Sequence, residues 1–205
     1  MDETLVVYGA EYSTYVRSVR LCCEEKGVVY QFQERLSRAD RLTLNNPFKK
    51  VPIIRHGDFV LYESAAICRY IDRRFDGPSL SPAPVAELAL MDQWISAANC
   101  YFDPAFIRRF VLVHAFPSGK DGQVDETKLE AALPEVVQQL EIIENALCAS
   151  DYFSGDKPGI ADYLIIPMLD YLARGRGGYL FDKLSQTNRY LERLRKRPSG
   201  QKILV

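Results

Sequence analysis

Short apolar runs flank one helical pattern at the beginning of the chain. Leu5–Tyr8 is an apolar run that ends at a glycine, and it predicts a buried strand. From Ser13 onward, apolar residues recur at helical spacing until Gly27, a residue type that often terminates helices. Residues 28–33 return to strand character. This strand–helix–strand unit predicts two parallel strands joined by a right-handed crossover.

A hairpin and a second helix follow. Residues 51–55 and 59–62 are predicted strands around a turn that contains Gly57. After Ser64, apolar residues at helical spacing predict a helix. These residues are Ile67, Tyr70, Ile71 and Phe75. The predicted order is strand, helix, strand, strand, strand, helix, which is an α/β arrangement with a mixed four-stranded sheet.

A proline-rich segment divides the chain. Residues 77–84, GPSLSPAP, contain three prolines and are unable to continue a helix, so they are the best candidate for a linker. Strand patterns stop after this segment, and only helical patterns follow. We therefore predict an α/β domain over residues 1–78, a linker over residues 79–85 and an all-helical domain over residues 86–205. Ligands often bind between two such domains.

The helical patterns of the second part contain prolines. Asp125 is the predicted N-cap of one of these patterns. The prolines within the patterns are Pro104, Pro134 and Pro167. Because proline removes a hydrogen bond inside a helix, we expect kinks or breaks at these points.

Composition and charge narrow the classes of function. Of the 205 residues, 47% are apolar, which allows a well-buried core, and the formal net charge is -1. This balance gives no reason to expect nucleic acid or an anionic membrane as a partner, and a small neutral or zwitterionic ligand suits it better. No apolar run reaches the roughly 18 residues of a membrane span, and the acidic N-terminus lacks the features of a signal peptide. We therefore expect a cytoplasmic location.

The cysteines and histidines give no sign of a disulfide framework or a metal site. The five cysteines include no CxxC pair, and each is expected to be a small buried apolar residue in a reducing compartment. His56 and His114 are the two histidines, and neither has a cysteine partner at metal-binding spacing. No bound metal is expected.

Pro52 stands where a strand begins. Proline has no N–H to donate to a strand ladder, so it must lie at a strand start, an edge or a bulge. A trans bond at a strand start is the default. A cis bond would instead turn the N–H and C=O groups of Val51 outward, where they could pair with an extended peptide. We favour the cis form because the other end of the hairpin also suits a peptide.

Glu63 and Ser64 form that other end, where a strand gives way to a helix. The first N–H groups of the helix, together with the Ser64 hydroxyl, could receive a carboxylate. Ser64 could also be a plain N-cap, and the two interpretations are compatible. The hairpin thus offers peptide-binding groups at both ends.

Motifs around the hairpin match one family. They are Asn46-Pro47-Phe48, Lys50-Val51-Pro52, Leu61, Glu63-Ser64, Ile67 and Tyr70-Ile71. Residues 159–162 (GIAD) and residues 191–198 fit the helix-capping element and the C-terminal tail of the same family. The chain therefore resembles the cytosolic glutathione transferases over nearly its full length. Within them it is similar to serine-type enzymes that are phi-, tau- or theta-like and of bacterial style.

This resemblance implies a fold, a co-substrate and a set of contacts. The first domain would be thioredoxin-like (βαβ-ββα) and would bind glutathione, and the protein would be a homodimer without a metal. Val51, beside Pro52, would pair through its backbone with the cysteinyl part of glutathione. Glu63 and Ser64 would hold its γ-glutamyl end.

Two basic residues complete the glutathione-binding set that the resemblance implies. Lys50 falls where relatives often carry glutamine or lysine. Arg38 falls near a basic position that contacts the glycine carboxylate. For both, a solvated surface cation is an equally good interpretation, since charged side chains are mostly exposed.

Ser13 is the candidate that activates the thiol. A thiol attacks electrophiles as its thiolate, and a free thiol with a pKa near about 8.5 is only slightly ionised at neutral pH. Ser13 opens the first predicted helix, where a hydroxyl hydrogen bond and the helix N-terminus would both stabilise a thiolate. A serine at this position is catalytic in the classes that the chain resembles. The alternatives are that Ser13 merely caps the helix, or that Tyr12, Thr14 or Tyr15 supplies the hydroxyl.

The electrophile pocket is expected where the long helix after the linker faces Ser13. Its candidate residues are Tyr12, Tyr101, Phe102, Phe106, Arg108, Arg109 and Phe110. Core packing is the alternative explanation for aromatic residues at helical spacing. The predicted function is a glutathione transferase of detoxification, whose thiolate attacks a hydrophobic electrophile by addition or substitution. A non-catalytic binding or adaptor protein and a glutathione-dependent dehalogenase or peroxidase are the alternatives.

Overall fold

The structure is a computed structural model that describes residues 4–37, 40, 43–117 and 119–204. Its strands are β1 (Leu5–Tyr8), β2 (Tyr30–Gln33), β3 (Ile53–His56) and β4 (Phe59–Tyr62). They form one sheet in the order β2-β1-β3-β4. β1 and β2 are parallel, whereas β3 is antiparallel to both β1 and β4. The predicted mixed four-stranded sheet and its parallel first pair are confirmed.

Alternation along β1 places apolar side chains on both faces of the sheet. Leu5 and Val7 pack into the large core, whereas Val6 and Tyr8 join a smaller cluster. All four residues of β1 are buried. β1 is therefore a central strand, and its last residue leads directly into the turn that forms the site described below.

Two helices belong to this sheet. α1 (Thr14–Lys26) follows β1, and α2 (Ser64–Arg74) follows β4. α1 ends at Gly27, whose φ of 74° lies in the left-handed region, as the sequence predicted. Among these elements the observed order β1-α1-β2-β3-β4-α2 is the predicted one. Residues 40, 43 and 44, between β2 and β3, are helical, where the sequence predicted no element.

The rest of the chain is helical, as expected. The helices are α3 (Val85–Ala97), a π-helix (Ala98–Val111), α4 (Leu112–Ala115), α5 (Glu126–Ala149), α6 (Ile160–Arg174), α7 (Ser185–Lys196) and α8 (Pro198–Ile203), with short turns at Lys120–Gly122 and Gly178–Phe181. α6 is central, because every residue from Ile160 to Asp170 is buried. It packs against α1 and α2 on one side and against α3 and the π-helix on the other.

The breaks expected at prolines do not occur. Pro134 lies inside the continuous helix α5, Pro167 inside α6 and Pro104 inside the π-helix. A proline costs about 3 kcal/mol in a helix interior. Each of these helices buries several side chains, and this packing outweighs the lost hydrogen bond. The helices are therefore not broken at any of the three positions, while the expected kinks stay a prediction.

Two aspartates fix helix N-termini. Asp125 is the N-cap of α5 and accepts a backbone N–H of the first turn, as predicted. Asp162, in the first turn of α6, is fully buried. Its carboxylate accepts the backbone N–H groups of Phe153 at 2.9 Å, Ser154 at 3.1 Å and Gly159 at 2.9 Å. The segment before α6 is thereby tied to the helix.

The cysteines divide into buried and exposed groups. Cys22, Cys23 and Cys68 are buried as expected, whereas Cys100 and Cys148 are exposed. The part of the chain that the structure describes contains no group of three or more potential metal ligands. Among the same residues, no helix combines the length and the apolar character needed to cross a membrane.

Candidate functional site

A cleft of about 420 Å³ lies where the start of α1, the loop before β3 and the start of α2 meet the π-helix. Its lining residues are Ser13, Tyr15, Asn46, Lys50, Val51, Pro52, Glu63, Ser64, Asn99, Asp103 and Arg108. The cleft brings together the predicted thiol activator and the predicted ligand-binding residues, apart from Arg38. That residue lies outside the described residues.

Ser13 occupies the N-cap position of α1, with an extended backbone (φ -71°, ψ 126°). Its N–H donates to the C=O of Ala10 at 3.0 Å, and its C=O accepts the N–H of Arg17 at 2.9 Å. Its side chain makes no capping hydrogen bond. Ser13 lines the cleft at the N-terminus of a 13-residue helix, where partial positive charge favours an anion. This geometry disfavours the alternative in which the hydroxyl merely caps α1.

Side chains from α1 and α6 hold the loop that leads into Ser13. The Arg17 Nε donates to the C=O of Glu11 at 3.2 Å. The Tyr171 hydroxyl donates to the C=O of Tyr12 at 2.8 Å, and the Arg17 guanidinium lies 4.5 Å from the centre of the Tyr171 ring. The backbone before Ser13 is thus fixed from two sides.

The Val51–Pro52 peptide bond is cis, as predicted. β3 begins at Ile53, so Val51 lies outside the strand ladder. Within the described residues, no backbone group pairs with its N–H or C=O. The preceding loop is braced by a hydrogen bond from Asn46 Nδ2 to the C=O of Lys50 at 2.9 Å. Val51 can therefore offer an extended peptide the pairing that a neighbouring strand would give.

Gly9 allows the turn between β1 and α1 to approach Val51. Its φ is 147°, and a Cβ added there would lie 2.5 Å from Val16 Cγ2 and 2.9 Å from Val51 Cβ. The absence of a side chain at this position therefore sets the spacing between Val51 and the turn that carries Ser13.

The start of α2 differs from expectation in one respect. Glu63, rather than Ser64, is the N-cap residue, and Ser64 is the first residue of the helix. Glu63 has φ 71° and ψ 110°, a conformation that non-glycine residues seldom adopt. The N–H groups ahead of Ile67 have no intrahelical acceptor, because the first helical bond joins Ile67 N–H to the C=O of Glu63. Together with the Ser64 hydroxyl they can bind a carboxylate.

The π-helix supplies a polar wall. Residues five apart are neighbours in a π-helix, and Arg108 Nε donates to Asp103 Oδ2 at 2.8 Å across one such step. Asp103 is only 7% exposed, and its Oδ1 has no partner in the described part of the chain. Asn99 lines the cleft beside this pair. Asn99 and Asp103 were not predicted from the sequence, because α-helical spacing does not place residues five apart on one face.

Tyr15 lines the cleft from the first turn of α1. Burial raises the pKa of its hydroxyl well above the usual value, and the negative charge of Asp103 raises it further, while Arg108 acts in the opposite direction. The hydroxyl therefore stays protonated at neutral pH. The sequence indicated Tyr15 only as a competitor of Ser13.

Phe102 and Phe106, predicted to contact the electrophile, are core residues. They are 1% and 0% exposed, and their stacked rings have centroids 5.7 Å apart. Phe110 is also buried. The winding of the π-helix turns these rings inward and polar side chains toward the cleft, which corrects the prediction for all three.

Tyr12, Tyr101 and Arg109 are exposed but do not line the cleft. Tyr12 is 63% exposed, and its ring centroid lies 6.3 Å from that of Phe116. Tyr101 is 58% exposed. Arg109 donates to Glu135 at 2.9 Å. Of the predicted pocket residues on the π-helix, Arg108 is the one that faces the cleft.

Comparison with known proteins decides the family. Residues 7–79 match the model for the N-terminal domain of glutathione S-transferases. Residues 97–198 match the model for the C-terminal domain of the same family. The chain belongs to the glutathione S-transferase family. The resemblance drawn from the hairpin motifs is thereby confirmed.

Individual glutathione S-transferases match the chain over nearly its full length. Glutathione S-transferase F6 of Arabidopsis thaliana is 28% identical over 97% of this chain and 98% of its own. The crystal structure of poplar glutathione transferase F1 has a TM-score of 0.85 at 29% identity and covers 98% of this chain and 96% of that chain. Maize glutathione S-transferase I in complex with an atrazine glutathione conjugate has a TM-score of 0.86 at 25% identity, covering 98% and 96%. All three are plant proteins.

Proposed function

We propose that the chain is a glutathione transferase in which the Ser13 hydroxyl holds the glutathione thiolate for attack on a hydrophobic electrophile. The observation that carries this proposal is the cleft in which Ser13, Val51 and Ser64 meet. These residues come from three separate segments, and each presents a group suited to one part of a thiol-bearing peptide. Relatives with this fold carry the name glutathione S-transferase, and the maize structure contains a glutathione conjugate.

Glutathione would lie along the cleft as an extended peptide. The backbone of Val51 pairs with its cysteinyl part, and the start of α2 at Glu63 and Ser64 receives its γ-glutamyl end. Lys50 is exposed at the cleft, and its ammonium group pairs with a carboxylate of glutathione. Arg38 belongs to the same proposed set. The sulfur then lies toward the start of α1.

A single hydroxyl at the N-terminus of α1 can supply the free energy needed to stabilise the thiolate. Lowering a thiol pKa by about two units requires about 2.7 kcal/mol of preferential thiolate stabilisation. A hydrogen bond to a charged group supplies about 1.5 to 3 kcal/mol, and a helix N-terminus adds about 0.3 to 1 kcal/mol. Ser13 combines both, because its hydroxyl is not engaged in capping α1.

Replacing Ser13 with alanine tests this role. In Ser13→Ala, we expect turnover of an aryl halide such as chlorodinitrobenzene near pH 6.5 to fall by about ten- to hundredfold, since the thiolate loses its hydrogen bond. Affinity for glutathione should change far less. Steady-state kinetics and ultraviolet titration of the bound thiolate measure both effects.

Ser96→Ala is the matched control, because Ser96 is an exposed helical serine that does not line the cleft. Unchanged turnover in Ser13→Ala would refute the assignment of Ser13. Retention of the wild-type protein on immobilised glutathione without any turnover would instead indicate a non-catalytic binding protein.

The proposal extends to the organisation of the protein. Residues 1–78 would form the thioredoxin-like, glutathione-binding domain, residues 79–85 the linker and residues 86–205 the helical domain. Two copies would form a homodimer, with the first domain of one subunit against the helical domain of the other, in the cytoplasm. Light scattering coupled to size-exclusion chromatography measures the oligomeric state, and a monomer at micromolar concentration would contradict this part.

A further inference from the structure

The peptide group between Tyr12 and Ser13 is held at both of its polar ends. Its N–H, which belongs to Ser13, donates to the C=O of Ala10 at 3.0 Å. Its C=O, which belongs to Tyr12, accepts the Tyr171 hydroxyl at 2.8 Å. Tyr171 lies on α6, 159 residues further along the chain. A side chain of the helical part therefore fixes the backbone from which the Ser13 side chain projects.

This hydrogen bond matters because the Ser13 side chain has no capping bond of its own. In an ordinary N-cap, the side-chain oxygen accepts a backbone N–H of the first turn, and this bond fixes the direction of the side chain. Ser13 makes no such bond. The rotamer of its side chain depends on its φ and ψ, and thus on the orientation of the preceding peptide group. The bonds from that peptide group to Ala10 and Tyr171 set this orientation.

Tyr171 is itself held against α1. The Arg17 guanidinium lies 4.5 Å from the centre of the Tyr171 ring. Arg17 also donates from Nε to the C=O of Glu11 at 3.2 Å, and its Nη1 lies 3.9 Å from Oδ2 of the buried Asp170 on α6. The carbonyl groups of Glu11 and Tyr12 are therefore bound by two side chains that also contact each other.

The Tyr171 hydroxyl is a donor throughout the pH range in which a glutathione thiol ionises. Burial raises the pKa of this hydroxyl, and the positive charge of Arg17 acts in the opposite direction. A free thiol has a pKa near about 8.5, well below that of the phenol. Titration of Tyr171 therefore does not interfere with a measurement of the thiol pKa.

We propose that Tyr171 is a positioning residue, which fixes the Tyr12–Ser13 peptide group so that the Ser13 hydroxyl is held toward the sulfur of bound glutathione. This inference rests on the proposed transferase function. Tyr171 is not among the residues that line the cleft, and it acts through Ser13. Because a hydrogen bond weakens as its distance and angle depart from the optimum, a looser Ser13 stabilises the thiolate less.

Tyr171→Phe tests this role, because it keeps the ring against Arg17 and removes only the O–H. With chlorodinitrobenzene near about pH 6.5, we expect kcat to fall by about three- to tenfold. Ultraviolet titration should show the pKa of the bound thiol raised by about half to one unit. The loss in kcat should shrink toward about pH 9, where the thiolate forms without help. KM for glutathione should stay within about twofold of wild type.

Tyr163→Phe is the matched control. Tyr163 lies on the same helix, and its hydroxyl also donates to a loop carbonyl, that of Pro158, at 3.1 Å. Neither residue lines the cleft. This variant should lose stability without changing the pKa of the bound thiol or the pH profile of kcat.

The double variant Ser13→Ala with Tyr171→Phe separates positioning from general damage. If Tyr171 acts through Ser13, adding Tyr171→Phe to Ser13→Ala should lower kcat by less than about twofold. The full loss in the double variant, an unshifted thiol titration in Tyr171→Phe, or an equal shift in Tyr163→Phe would each overturn the proposal.

A second variant covers the case in which Tyr171→Phe does not fold. Arg17→Lys keeps the charge but loses the guanidinium that lies against the Tyr171 ring. It must then raise the pKa of the bound thiol, and no rise would overturn the proposal. Failure of the underlying function is distinguishable, because wild type would show neither thiolate absorbance nor turnover. A large loss in Ser13→Ala beside wild-type behaviour of Tyr171→Phe would sink this inference alone.

Discussion

At the scale of single residues, the site depends on how close two segments can come. The turn after β1 carries Ser13, and the loop before β3 carries Val51. Gly9 lies between them with a φ of 147°, and its missing side chain leaves room for Val16 and Val51. The distance between the proposed thiol activator and the proposed peptide-pairing residue is therefore set by a residue that has neither role.

Gly9→Ala should impair glutathione binding. The new Cβ would lie 2.5 Å from Val16 Cγ2 and 2.9 Å from Val51 Cβ, so the loop must move away from Ser13. We expect a loss of about 1 to 3 kcal/mol in the free energy of unfolding and a higher KM for glutathione. Thermal melting and kinetics measure these effects.

Gly57→Ala is the control for Gly9→Ala, because Gly57 also has a positive φ but nothing lies within 4 Å of an added Cβ. This control should lose some stability from backbone strain and keep the KM for glutathione. A Gly9→Ala variant with a wild-type KM for glutathione would contradict the role assigned to Gly9.

At the scale of elements, the sequence predicts best what depends on local pattern. The order of strands and helices through α2 follows from apolar spacing and from Gly27, and the meeting of Ser13, Val51 and Ser64 follows from their places at strand ends. The π-helix was not predictable in this way, because the same types of apolar residue occur in α-helices and in π-helices. The sequence therefore does not show which of the two helices forms. Asn99 and Asp103 were missed, and Phe102 and Phe106 were placed in the pocket, for this one reason.

The N-terminus of α6 is the element whose stability depends most on one side chain. Asp162→Ala would leave the buried N–H groups of Phe153, Ser154 and Gly159 without their acceptor. We expect a loss of about 3 to 5 kcal/mol in the free energy of unfolding, measured by urea denaturation. Asp125→Ala, at the half-buried N-cap of α5, should cost much less. Equal losses in the two variants would show that burial of the cap does not decide its contribution.

At the scale of the whole molecule, the end of the chain is tied to its first helix. Glu25 on α1 accepts hydrogen bonds from Arg197 Nε at 2.7 Å and Arg197 Nη2 at 2.6 Å, and from the Ser199 hydroxyl. Lys202 donates to Glu24 at 2.9 Å. These bonds join residues more than 170 positions apart, as Glu25 and Arg197 are 172 apart. The helix that opens at Ser13 is therefore anchored by the C-terminal segment.

This anchor should depend on pH. Burial would raise the pKa of Glu25, but hydrogen bonds from Arg197 and Ser199 hold it below its ordinary value of 4.5. A carboxylate with a lowered pKa stabilises the folded state above its unfolded pKa, and this contribution is lost as pH falls through the folded pKa. We expect Glu25→Gln to reduce the free energy of unfolding by roughly 1 to 2 kcal/mol at pH 7.

The difference between wild type and Glu25→Gln should shrink as pH falls below 4.5, measured by urea denaturation across that range. Glu192→Gln is the control, because among the described residues the one ion pair of Glu192 is an exposed pair with Lys196. A difference that stays constant down to low pH would show that ionisation of Glu25 does not contribute.

The winding of residues 98–111 has a consequence for engineering. In an α-helix, five residues turn the chain by about 500°, so Asp103 and Arg108 would point about 140° apart there. Their shared direction is a property of the backbone and is not carried by the two residue types alone. Introducing Asp103 and Arg108 alone into a relative whose corresponding segment is an α-helix would therefore not reproduce the polar wall. The whole segment of residues 98–111 must be transferred.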